Sequence, residues 1–113
     1  MIHYEKEMAR EPKENVRGGS GRYECTHLFT PAEVDKTTLF ARNVLPAGVS
    51  IGVHPHNTEG EAYVILRGRA VVTEDGQEYE LGPGDAEYCT GGHTHGIRNP
   101  GPEEMEFLAI IMK

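Results

Sequence analysis

From Tyr23 to the C-terminus, apolar residues fall into short clusters separated by Gly, Pro, Asn and Asp, the pattern of brief strands joined by tight turns. Thr37–Leu45 is rich in β-branched and apolar residues and stops at Pro46-Ala47-Gly48. Val49, Ile51 and Val53 then alternate with Ser50, Gly52 and His54, the period of two that sends successive side chains to opposite faces of a strand. Ala62–Leu66 is a continuous apolar run suited to a buried strand. Arg69–Thr73 leads into Glu74-Asp75-Gly76, whose Asp-Gly pair tolerates the positive φ angles of a tight hairpin. Leu81–Asp85 is a further turn, Ala86–Thr90 a further strand and Glu104–Met112 the last one; only Pro31–Lys36 has a helical pattern. Residues 5–17 are polar, are interrupted by Pro12 and run into the RGGSGR segment at 17–22. These features predict an arm and flexible hinge over 1–22, followed by an all-β sandwich or barrel over 23–113.

Composition supports one small unit with many turns. The chain has 113 residues, of which 14 are Gly and 7 are Pro. Its longest apolar run, Phe107–Met112, is far shorter than the roughly 20 residues a membrane-spanning helix needs. The net charge of −7 is uneven: residues 1–22 hold five basic and four acidic side chains, and residues 23–113 hold six and fourteen. An acidic body without a basic stripe repels phosphate backbones, which argues against nucleic acid as a partner. The N-terminus has no apolar stretch of the secretory kind, so a cytoplasmic protein is expected, with Cys25 and Cys89 as thiols.

The chemistry is concentrated in histidines. Four of the six form two His-x-His pairs, His54-Pro55-His56 and His93-Thr94-His95. On a strand, residues i and i+2 share a face about 6.6 Å apart, close enough for two imidazoles to lean onto one ion at roughly 2.0–2.2 Å. Glu61 stands at the entrance to an apolar strand, where an uncompensated inward carboxylate would be costly. Against a metal site stands the plainer reading that Glu61 faces solvent beside Glu59. Gly48-Val49-Ser50-Ile51-Gly52 spells the G-x-S-x-G of hydrolase nucleophile elbows, but that motif requires a strand–turn–helix context, and here a strand runs on into His54.

The segment Gly48–Gly68 resembles the first motif of the cupin superfamily, G-x5-H-x-H-x3,4-E-x6-G, with Gly48, His54, His56, Glu61 and Gly68 at every fixed position. The second motif, G-x5-P-x-G-x2-H-x3-N, is matched by Gly84, Gly92, His95 and Asn99, with Thr90 where the family has proline. The resemblance implies a double-stranded β-helix, or jelly-roll barrel, holding one divalent transition metal per chain on His54, His56, Glu61 and His95. Nitrogen and oxygen ligands without sulfur suit Mn, Fe, Co or Ni, with Zn also able to bind. Such a set leaves two positions of a six-coordinate ion open to a chelating substrate.

Tyr63 shares the parity of Glu61, and His93 that of His95, although Gly91 and Gly92 permit a bulge before His93. Both are candidates for moving a proton beside a metal-bound ligand. Arg67, Arg69 and Arg98 are not placed by parity as substrate clamps, which leaves the metal to hold an anionic ligand. Among named relatives the chain looks most like small single-domain cupins grouped with oxalate decarboxylases. The expectation is an enzyme acting on a small oxygen-rich molecule, such as a sugar derivative, a keto or hydroxy acid or a dicarboxylate. A non-catalytic metal-dependent binding or sensing module is the alternative. Ile2, Tyr4, Tyr23, Leu28 and Phe29 lie outside the motifs and are expected to pack on a second copy in a homodimer.

Overall fold

The computed structural model, which describes residues 1–113, contains ten strands: β1 (Ala9–Glu14), β2 (Arg22–Phe29), β3 (Thr37–Leu45), β4 (Ser50–His56), β5 (Gly60–Arg67), β6 (Ala70–Glu74), β7 (Gln77–Leu81), β8 (Ala86–Cys89), β9 (His93–Arg98) and β10 (Met105–Met112). They form a six-stranded sheet in the order β1-β2-β3-β10-β5-β8 and a four-stranded sheet in the order β4-β9-β6-β7. Every pairing is antiparallel. Alternation decides the core: Ala41 and Leu45 of β3, Ile65 of β5 and Phe107 of β10 face inward from one sheet, and Ile51, Val72 and Ile97 from the other. Each fully buried large side chain contributes about 1.5–3 kcal/mol of burial. The predicted hairpin forms between β6 and β7, with Asp75 at φ 48° and Gly76 at φ 84°, as a twist-matched two-residue turn demands. Pro31–Lys36, where a helix was the expectation, is a run of turns, with the Glu33 carboxylate accepting from the Thr30 N–H. No helix is long and apolar enough to cross a membrane.

Strict alternation along β4 breaks where the sequence pattern predicted it would continue. Ile51 is buried opposite Ile97, but Gly52 and Val53 together face Gly96, and pairing resumes at His54 opposite His95. This bulge sends Val53 out to solvent, 54% exposed, and turns His54 and His56 inward. Gly96 makes room for it: a Cβ there would lie 2.9 Å from the Val53 nitrogen.

The segment expected as an arm and hinge is folded onto its own barrel. β1 pairs with β2 in register, Lys13 opposite Tyr23, and Pro12 is tolerated because β1 is an edge strand. Residues 15–21 close as a loop: the Asn15 N–H donates to the Gly21 carbonyl, and the Gly21 N–H donates back to Asn15 Oδ1. The Ser50 N–H donates to the Ser20 carbonyl, and the Ser20 N–H to Ser50 Oγ, so the loop covers the outer edge of β4. Tyr23, expected to face a second copy, is 5% exposed inside its own core, whereas Ile2 and Tyr4 remain on the surface.

Candidate metal centre

Three strands deliver four ligating groups to one point inside the barrel. β4 carries His54 and His56, β5 carries Glu61 and β9 carries His95, and all four side chains are buried. The Nε2 atoms of His95, His56 and His54 lie 2.9, 3.0 and 3.5 Å from Glu61 Oε1. Adjacent ligands of an octahedral ion with bonds near 2.1 Å stand about 3.0 Å apart, so these separations suit a shared cation. The three imidazoles approach edge-on, with ring centroids 4.8 to 5.0 Å apart.

The outer nitrogens determine which inner ones are free to coordinate. His54 Nδ1–H donates to the Gly52 carbonyl at 2.7 Å, and His95 Nδ1–H donates to the Glu87 carboxylate at 2.9 Å. Both tautomers therefore leave Nε2 with its lone pair toward the cluster, the arrangement a metal-bound histidine requires. Glu87 is a residue the sequence reading missed. It directly follows Ala86 and stands opposite Tyr63, a neighbour relation that only the pairing of β8 with β5 creates.

The electrostatics fit a cation as well. Burial raises the Glu61 carboxyl, but contacts from His54 and His95 and the charges of His95 and His56 outweigh it, bringing the carboxyl down to about 2. Burial lowers His95, and the carboxylates of Glu61 and Glu87 overcome this and push it up to about 9. Without a metal, Glu61 thus draws protons onto the nitrogens around it; a divalent ion would take their place. Cys89 adjoins Glu87 and His95, but burial, then the Glu87 charge, push its thiol up to about 11, so it is a neutral, packed side chain.

Of the two proton-transfer candidates, Tyr63 reaches the site and His93 does not. The Tyr63 ring stacks on His95 at 4.4 Å and 5° and meets Phe107 edge-on, and burial holds its hydroxyl well above the ordinary tyrosine range. His93 shares the parity of His95 but stands at the rim of the barrel, where its Nδ1 lies 2.6 Å from Asp75 Oδ2 in the β6–β7 turn. Asp75 also accepts the Thr94 N–H, so the hairpin tip and the start of β9 are tied together, and His93 is held on the surface. Thr90, in place of the motif's proline, still makes the turn, its carbonyl accepting the His93 N–H at 3.1 Å. Asn99, the last motif residue, ties down loops by donating to the Leu45 and Glu103 carbonyls.

Beside His54, His56 and Glu61 lies a cavity of about 160 Å³. Tyr23, Asn43, Ile51 and Tyr63 line it, as do Lys13 and Arg17 from the N-terminal segment. That is well below the roughly 300–1,000 Å³ of sites for drug-sized molecules, so the space suits only a small ligand. Lys13 and Arg17 were not among the sequence candidates, because nothing in the first 22 residues signals that they fold back over a site 40 residues further on.

A family model for the Cupin domain matches residues 42–111. An oxalate-binding protein of Thermotoga maritima is 38% identical over 113 residues, covering 99% of this chain and 93% of the relative. The crystal structure of a predicted oxalate decarboxylase from Thermotoga maritima superposes with a TM-score of 0.93 at 39% identity, over 99% of this chain and 98% of that one. A polyketide cyclase from Streptomyces resistomycificus, only 20% identical, has a TM-score of 0.77 over 99% of this chain and 78% of its own, a likeness of fold alone.

Proposed function

The chain belongs to the cupin family, with its double-stranded β-helix fold, and on that premise we propose that it is a metal-dependent enzyme acting on a small oxygen-rich anion of the oxalate type. The observation that carries this reading is the convergence of three buried Nε2 atoms on the single oxygen Oε1 of Glu61. A divalent transition metal held there would supply a Lewis acid with positions open to two oxygens of the ligand. The rest falls to the chain's own residues. Gly52 and Glu87 keep the histidine tautomers in order, and Tyr63 braces His95. Tyr63, a neutral phenol on the cavity wall, is the group we assign to proton donation toward the ligand. The relative's printed name, an oxalate-binding protein, supports the ligand class.

Binding without turnover is the second reading, favoured by the surface position of His93, which leaves one candidate proton donor rather than two. Elemental analysis of protein purified without added metal should show about one transition-metal ion per chain, abolished in the His56→Ala/His95→Ala double variant. Stoichiometric metal in that variant would remove this site from consideration. Incubation of the loaded protein with oxalate, followed by product analysis, separates the two readings: enzyme activity requires that the anion be consumed and that Tyr63→Phe slow its consumption without loss of metal. Bound oxalate recovered intact supports the binding reading.

A further inference from the structure

Part of the cavity wall beside His54, His56 and Glu61 is built from parts of the chain outside both motifs. Lys13 of β1 and Arg17 of the following turn line it together with Asn43 of β3. Neither Lys13 nor Arg17 is in an ion pair, whereas Arg10, Arg42, Arg67, Arg69 and Arg98 are each paired with a glutamate; Lys6, Arg22, Lys36 and Lys113 are also unpaired but line no part of this cavity. In a chain with eighteen acidic residues and a net charge of −7, these two cations form a positive pole on a cavity whose one lining carboxylate is Glu61. Asn43 is independent evidence for a ligand at the same place. It is 3% exposed, and its Oδ1 is the one buried side-chain nitrogen or oxygen without a hydrogen-bond partner. Buried polar atoms are almost always satisfied, and the Asn43 amide, on the wall of the same cavity, carries N–H donors that suit an anion.

The placement of this wall is built into the backbone. Gly52 and Gly19 let the 16–19 turn lie directly against β4: a Cβ on Gly52 would fall against the Arg17 carbonyl, and one on Gly19 against Ser50. Val16, next to Arg17, packs on the core. The two cations are therefore carried by a segment fastened at both ends.

We propose that Lys13, Arg17 and Asn43 form the distal half of the ligand site, selecting a small doubly charged anion with one end at the metal and the other at this positive pole. The proposal rests on the metal-dependent reading above. A second carboxylate in a cavity walled by Glu61, Tyr23 and Tyr63 would be disfavoured unless cations met it, and the guanidinium of Arg17 matches a carboxylate with two parallel hydrogen bonds. A singly charged ligand satisfies the metal alone and gains little from Lys13 and Arg17.

The test is calorimetric titration of the manganese-loaded chain with oxalate, malonate and acetate, with manganese content measured first for every variant. The parent should bind the two dianions at least about tenfold more tightly than acetate, and Lys13→Ala/Arg17→Ala should weaken oxalate by about thirtyfold or more while changing acetate less than about threefold. Manganese content should not change. Asn43→Leu, close to Asn in size, should weaken oxalate at least about fivefold with no fall in melting temperature, because it also removes an unsatisfied polar atom. A parent without preference for dianions overturns the proposal, as does a double variant that binds oxalate within about twofold of the parent at full manganese occupancy. A parent that retains no manganese defeats the metal reading and this one with it, and the metal measurement identifies that outcome before any anion is added.

Discussion

Gly52→Ala tests whether the N-terminal segment is part of the barrel. The added Cβ would lie 2.9 Å from the Arg17 carbonyl carbon and 3.0 Å from the Gly19 nitrogen, with the Arg17 oxygen closer still. Ordinary contact begins at 3.4 Å, so the carbonyl carbon must retreat by about 0.5 Å and the oxygen by more. Backbone meets backbone here, and no rotamer change can relieve it. β4 is paired along β9 and holds two candidate metal ligands, whereas the 16–19 turn is a single 3-10 turn on the surface, so the turn is the side that gives way. Overpacking of this kind costs about 1–3 kcal/mol, or roughly 4–12 °C in Tm for a domain of this size. Displacement should also expose the Lys13–Glu14 and Arg17–Gly18 bonds, so limited trypsin digestion should release the N-terminal segment well before the barrel is cut. Gly82→Ala is the matched control: its Cβ would have only Asp85 Oδ2 at 4.0 Å, and it should be neutral or stabilising by up to about 1 kcal/mol. A Gly52→Ala protein with the parent's Tm and trypsin pattern would refute the argument that this segment is docked.

Glu87→Gln leaves an acceptor for His95 Nδ1–H but removes the charge that makes the ring a better ligand, and should weaken metal binding by about 10–100-fold in a chelator competition. Affinity within about threefold of the parent would show that Glu87 does not support the site. Hydrogen bonding from His27, 2.8 Å away across the β1–β2 pair, holds Glu11 below its ordinary 4.5. A carboxylate lowered in the folded state stabilises above its unfolded value, and that contribution is lost as pH falls below about 4.5. Both groups are partly exposed, so the contribution is below about 1 kcal/mol. Protection of the β1 amides, taken relative to their intrinsic exchange at each pH, should fall between pH 5 and 3 by more in the parent than in Glu11→Gln, and equal changes in the two would count against the pairing.

The strands were legible in the sequence because they depend on short-range spacing, and the ligand set because its residues match the cupin motifs. β3 occupies the predicted Thr37–Leu45, and the Asp75-Gly76 turn follows from two residues that tolerate positive φ. Four motif positions spaced over 42 residues identified the cluster at His54, His56, Glu61 and His95. Parity alone, however, would have turned Val53 inward and His54 outward; the bulge that reverses them is visible only when β4 is laid against β9. The same limit explains His93: it has the parity of His95, yet Asp75, from a different hairpin, draws it to the rim.

The sequence by itself thus determined the all-β architecture, since strand period and turn chemistry are local properties of the chain, and its resemblance to the cupin motifs supplied the four candidate ligands. Tertiary structure alone decided what surrounds those ligands: Glu87 behind His95, Tyr63 stacked on the same ring, and Lys13, Arg17 and Asn43 along the adjoining cavity. These neighbours come from strands far apart in sequence. Which of them meet depends on sheet order, on one bulge and on glycines that let backbones touch, none of which leaves a periodic trace along the chain.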